Sequence, residues 1–129
     1  MSISQGKRNR RRGSDYEKEV ERDLNRLGYR SARKTGSIQS NGGVNGRKIP
    51  DIAGIPGIWL SVKRYKRVLK LPNWWREAES CSPTGSVPAI IMRGDGKPSQ
   101  FVCNLEDLPI IIAAFQESEK ASRIMHHEG

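Results

Sequence analysis

The 129-residue chain predicts an α/β fold: a mixed β-sheet of about five strands flanked by helices. Three observations predict it. A helical apolar stripe lies near the start of the chain, short apolar runs parted by Gly- and Pro-bearing turns fill the middle, and a second helical stripe lies near the end. The elements read in the order α-β-β-β-α-β-β-α, with no internal repeat, and such an order places helices over a sheet. The length suits one domain with one core.

Residues 1–13, "MSISQGKRNRRRG", carry five positive charges and almost no apolar content, which predicts a basic flexible arm ahead of a single folded domain over 14–129. "SDYEKEVERDLNRLG" predicts the first helix. Ser14 and Glu17 have the spacing of a capping box, Gly28 is a natural stop, and Tyr16, Val20, Leu24 and Leu27 recur on one face. "YRSARKT" suggests a basic strand, and residues 36–48, rich in Gly, Asn and Ser, a loop that stays mobile until something binds it. Two strands follow, over 49–53 and 58–63, joined by a turn at "GIPG". "PNWWREAES" reads as a short helix whose Trp74 and Trp75 serve packing or dimer contacts. "VPAIIMR", "GDGKP" and "QFVCNL" read as strand, turn and strand. The last helix is expected from near Asn104, with Pro109 in its first turn and Leu108, Ile111, Ile112 and Phe115 facing inward.

The charge is polarised. Residues 1–76 hold 19 of the 23 Lys and Arg against 6 acids, while residues 77–129 hold 4 against 8, for a formal net charge of +9. Such a distribution provides one face for a polyanion, and nucleic acid fits it better than a membrane surface, because no helix pairs a basic face with a wide apolar one. No apolar run reaches the roughly 18 residues of a membrane span, and no signal-peptide core follows the basic start. Cys81 and Cys103 lie far apart with no metal spacing, as reduced thiols of a cytoplasmic protein would.

One stretch carries chemistry. In "IPDIAGIPGIWLSVKRYKR", residues 49–67, alternation along the second strand puts Trp59, Ser61 and Lys63 on one face and the core residues Ile58, Leu60 and Val62 on the other. Asp51, from the neighbouring strand, is expected beside Lys63. An acid that holds a hard cation and a lysine that orients water and neutralises a phosphorane are what phosphodiester hydrolysis requires; a surface ion pair is the plainer alternative. Helical phase turns Glu17 toward the sheet more than Glu19 or Glu21, although the capping box alone would also account for it.

The segments "RGSDYEKEVERDLNRLGYRSARKTGS", "PDI" and "WLSVK", in that order over residues 12–63, resemble the archaeal and phage-type Holliday junction resolvases of the PD-(D/E)XK nuclease superfamily. The resemblance implies a restriction-endonuclease-like fold and a homodimer that uses Mg²⁺, with Mn²⁺ also supporting activity, to make paired symmetric nicks in four-way DNA junctions. It assigns Glu17 and Asp51 to the metal, Lys63 to catalysis, the Val62 carbonyl to a further metal oxygen, and Arg33 and Ser37 to the scissile phosphate. Ser61 departs from the pattern, since those resolvases usually carry glutamate there. Some restriction endonucleases of the superfamily also read S-x-K and take the missing carboxylate from the next helix, about fourteen residues beyond the lysine. Glu77 stands at that distance from Lys63, so the expected metal set is Glu17, Asp51 and Glu77 with Ser61 and Val62, and Glu77 joins the catalytic residues.

DNA contacts are expected from Arg10, Arg11 and Arg12 in the arm, from Arg33, Lys34 and Ser37, from Arg47 and Lys48, and from Arg64, Lys66 and Arg67 of "KRYKR". The expected setting is the cytoplasm, that of a host cell if the chain is phage-encoded, with no small-molecule cofactor. Two alternatives stand beside junction resolution: a less selective nuclease on duplex or branched DNA, and a DNA-binding module that has lost nuclease activity.

Overall fold

The computed structural model describes residues 3–36, 48–67 and 69–127, with the backbone alone at 3–12 and 124–127. Helix α1 (Ile3–Arg26) precedes strands β1 (Arg33–Lys34), β2 (Ile52–Ala53) and β3 (Ile58–Tyr65); helix α2 (Leu71–Cys81) leads to β4 (Val87–Gly94) and β5 (Gln100–Val102), and a short 3₁₀ turn (Leu105–Asp107) opens helix α3 (Leu108–His127). The five strands form one sheet in the order β1-β2-β3-β4-β5. β3 and β4 run parallel and the other pairs antiparallel, so the sheet is mixed, as expected.

Helices cover both faces. Tyr16, Val20 and Leu24 of α1, at helical spacing, and Ile111 of α3 pack on Ile52, Leu60, Val62, Ala89 and Ile91 of the sheet. On the opposite face Ala78 of α2 meets Ile90 and Met92, with Tyr65, Trp74 and Trp75 around them. The two tryptophans therefore pack against the sheet; the Trp74 ring lies 6.1 Å from that of Tyr65. A polar clamp fastens α1 to β4: Arg93 pairs with Glu19 at 2.7 Å and lies over the Tyr16 ring, whose hydroxyl shares a 2.8 Å hydrogen bond with Ser99.

Several boundaries differ from expectation, each for a physical reason. α1 begins at Ile3, so Ser14 is interior to the helix and caps nothing, and residues 3–13 of the stretch read as an arm continue the helix. Its Lys, Arg and Gln are good helix formers, and a Ser-x-x-Glu spacing also occurs inside helices. α1 does end where Gly28 demands. Tyr29 N–H donates to the Leu24 carbonyl and Gly28 N–H to the Asn25 carbonyl, and Gly28 takes φ +111°, which together form a Schellman motif. Leu27 falls past the last turn and is 60% exposed instead of facing the core. β2 is two residues rather than five, because Pro50 has no N–H to give a ladder. On α3, Ile111 and the part-buried Phe115 face inward, but Leu108 and Ile112 are exposed. The inward stripe of that helix is narrow and continues as Ser118 and Ser122, both buried and linked by a 2.9 Å hydrogen bond. Both cysteines are free. No helix among the described residues is long and apolar enough to cross a membrane.

Candidate active site at the edge of the sheet

The ladder between β2 and β3 holds one residue pair, Ile52–Leu60. Just beyond it the Asp51 side chain takes over from the backbone: Val62 N–H donates to Asp51 Oδ2 at 2.8 Å. Asp51 is held in turn by Thr35, which is buried. The Thr35 N–H donates to the Asp51 carbonyl at 3.1 Å, and the Thr35 hydroxyl reaches the Pro50 and Asp51 carbonyls. An acid expected from motif order is thus fixed against the strand that carries Ser61 and Lys63. On that strand Leu60 and Val62 are buried in the main core, while Ser61 and Lys63 are part-exposed on the other face. Trp59 shares their face but is 8% exposed, so that face is covered at its start and opens toward Lys63.

Glu17 reaches the same place from α1. Its carboxyl is pushed up to about 7, first by burial and then by the negative charge of Asp51, while Lys34 and Lys63 pull it back. Two carboxylates and two ammonium groups therefore lie near enough to feel one another's charge, and burial, aided by Asp51, lets Glu17 retain a proton near neutrality. A hard divalent cation would compete with that proton for an all-oxygen donor set, so the residues present fit such an ion.

Lys34 is the member of this group that the sequence did not place here, since it was expected only at DNA. Its backbone N–H donates to Glu21 Oε2 at 2.6 Å, and its Nζ donates to Ser14 Oγ at 2.5 Å. Ser14, Glu17 and Glu21 recur at spacings of three and four on α1, a polar stripe flanking the apolar one. That spacing was a usable signal, whereas the position of β1 against it was not. Glu17 is half-buried, as its helical phase suggested, and Glu19 and Glu21 also reach neighbouring elements, Arg93 and the Lys34 N–H.

Other expected residues lie apart. Glu77 is exposed on α2, and among the described residues no three His, Cys, Asp or Glu side chains gather closely enough to hold a metal; Glu77 therefore does not join Glu17 and Asp51. The reason is the phase of α2, in which Ala78 is the residue turned to the sheet. Arg33, Lys48, Lys66 and Arg67 are exposed. Arg64 pairs with Asp95 at 3.1 Å, and its Nε is buried without a partner. Ser37 and Arg47 lie outside the described residues, as do the side chains of Arg10, Arg11 and Arg12. A cleft of about 700 Å³ opens on the Trp59 side of β3, lined by Lys48, Trp59, Ser80, Cys81 and Pro83.

Compared with protein-family models, curated proteins and solved structures, the chain matches none.

Proposed function

We propose that the protein is a Mg²⁺-dependent endonuclease of the PD-(D/E)XK type that resolves four-way DNA junctions by paired symmetric cuts, with Mn²⁺ as an alternative ion. One observation carries the reading: Glu17, Asp51 and Lys63, which come from a helix, a loop and a strand, converge at the point where β2 stops. Glu17 and Asp51 would hold the cation, with the Val62 carbonyl as a further oxygen, and the ion would supply charge neutralisation at the scissile phosphate. Lys63 brings a positive charge to the same phosphate and orients the attacking water. The exposed cations Arg33, Lys66 and Arg67 hold the DNA strand through its phosphates, which fixes position rather than sequence.

A homodimer completes this reading, since one chain has one such site and resolution requires two cuts. Exposed Phe101, Leu105, Leu108 and Ile112 offer apolar surface for the partner copy. Such an enzyme would act in the cytoplasm, on DNA, with no small-molecule cofactor.

One experiment tests the function. End-labelled junction, fork and linear duplex are incubated with the protein and Mg²⁺. Symmetric nicks confined to the junction are expected; cutting of all three would replace junction selectivity with general nuclease activity. Mobility shifts without cuts would favour a DNA-binding module, a second reading supported by the gathering of two carboxylates rather than three.

A further inference from the structure

Lys34 is placed unlike most of the described basic residues expected at DNA. Arg33, Lys48, Lys66 and Arg67 are exposed, whereas Lys34 is part-buried and its ammonium points into the protein. Two hydrogen bonds hold it there. Its backbone N–H is tied to Glu21 at 2.6 Å, which fixes β1 against α1. Its Nζ is hydrogen-bonded to Ser14, one turn before Glu17 on the same helix. Gly36 lies beside both groups: an added Cβ there would lie 3.0 Å from Lys34 Cε, 3.7 Å from its Nζ and 3.5 Å from Glu17 Oε2. The ammonium and the Glu17 carboxyl thus both lie within 4 Å of one point.

This placement suits a counter-ion better than a DNA contact. A lysine reserved for phosphate would be expected at the surface, whereas this one is turned inward to Ser14 beside a half-buried carboxyl. We infer that Lys34 is a resident cation of the site: its ammonium partly neutralises Glu17 when no metal is bound and sets how tightly a divalent ion is held there. The ion and the ammonium act on one carboxylate, so the presence of Lys34 costs metal affinity. In return the metal-free site sets a second positive charge, besides Lys63, against its two acids. The hydrogen bond to Ser14 holds the ammonium beside Glu17 and can keep it there when the ion takes the carboxylate.

This inference rests on the reading of Glu17 and Asp51 as metal ligands, and the experiment separates the two. Mn²⁺ binding to the DNA-free protein is followed by electron paramagnetic resonance for the parent, Lys34→Met, Lys34→Arg, Glu17→Gln and Asp51→Asn. Lys34→Met keeps the side-chain length and the backbone bond to Glu21 but removes the charge, and thermal unfolding checks that it folds. It should bind Mn²⁺ more tightly, on the order of tenfold, while Lys34→Arg stays near the parent. Parental affinity in Lys34→Met, or weaker binding by a folded Lys34→Met, overturns the counter-ion role and leaves the metal site standing. If the parent binds no Mn²⁺, or if Glu17→Gln and Asp51→Asn bind as well as the parent, both readings fall.

Discussion

β3 and β4 share eight paired residues, from Ile58–Val87 to Tyr65–Gly94, while β2 meets β3 at a single pair, Ile52–Leu60. On the β3–β4 side the backbone satisfies its own donors and acceptors, and apolar side chains are left to pack. On the β1–β2 side regular pairing runs out, and side chains must take over. Asp51 accepts from Val62, Thr35 donates to Pro50 and Asp51, Glu21 accepts from Lys34, and Ser31 donates to the Gly54 carbonyl at 2.7 Å. Gly54 shows how close the approach is: at φ +99° a Cβ would lie 1.9 Å from the Ser31 carbonyl oxygen. The difference teaches that the candidate site belongs to the irregular edge. Side chains that complete the backbone's hydrogen bonding are thereby oriented, and the same bonds aim them at one another.

If the paired half supplies stability, a cavity there should be the costliest change. Leu60 is fully buried between the helices and the sheet, and Leu60→Ala should cost about 2–5 kcal/mol through lost transfer energy and an unfilled void. Urea denaturation followed by far-UV circular dichroism measures it. A loss below about 1 kcal/mol would mean that β3 is not where stability is concentrated.

The edge should respond differently. Thr35→Val is close to isosteric and keeps the N–H bond to Asp51, but it removes the hydroxyl that reaches two carbonyls. A cost of about 1–2 kcal/mol is expected, together with a loss of the proposed Mg²⁺-dependent cleavage, because Asp51 is held less firmly. Stability loss without any effect on cleavage would separate Thr35 from the site.

Much of this division was legible in the residues, and its limits were physical. Period-two alternation over 58–63 and helical phase over 16–24 are local properties, so the core faces of β3 and α1 and the inward turn of Glu17 could be read from spacing. What failed depended on contacts distant in sequence. Which side of α3 is inner depends on what it packs against, and its inward stripe proved narrow, so Ile112 was misplaced. The roles of Ser14, Glu21, Lys34 and Thr35 require β1 to lie against α1 and β2, a juxtaposition that no local pattern encodes. The fourteen-residue spacing of Glu77 from Lys63 counts chain length, while contact depends on the phase and tilt of α2.

Proton linkage offers a quieter probe of the same edge. Glu17 has its carboxyl raised from an ordinary 4.5 to about 7, so the folded protein holds that proton more tightly than the unfolded chain does. Below pH 4.5 both states are protonated and Glu17 is neutral in the balance. As pH rises toward 7 the unfolded chain ionises freely while the folded one resists, so metal-free stability falls, then levels off above 7. The full shift would correspond to about 3 kcal/mol, and partial exposure of the side chain reduces this to roughly 1 kcal/mol. Glu17→Gln should therefore gain on the parent between pH 4.5 and 7.5 in chelator-treated samples. A constant gap between the two across that range would show that Glu17 is not the titrating group.

The smallest effect is expected at Glu77, and it sharpens the comparison most. Glu77 is exposed on α2, over the regular half of the sheet, and its side chain takes no part in the gathering of Glu17, Asp51, Lys34 and Lys63. Its backbone carbonyl accepts from the Ser80 hydroxyl at 2.9 Å, and alanine preserves that bond. Glu77→Ala should leave stability within about 0.5 kcal/mol of the parent, the range of an ordinary surface substitution. Junction cleavage in Mg²⁺ should stay within about threefold, less than the tenfold that 1.4 kcal/mol represents. Abolished cleavage with binding retained in Ca²⁺ would reverse the conclusion. It would require α2 to shift on DNA until Glu77 reaches the metal, making the regular half of the sheet part of the active site. Ser61→Glu in the Glu77→Ala background would then restore part of the rate, because a strand carboxylate beside Lys63 would replace the one that the helix no longer provides.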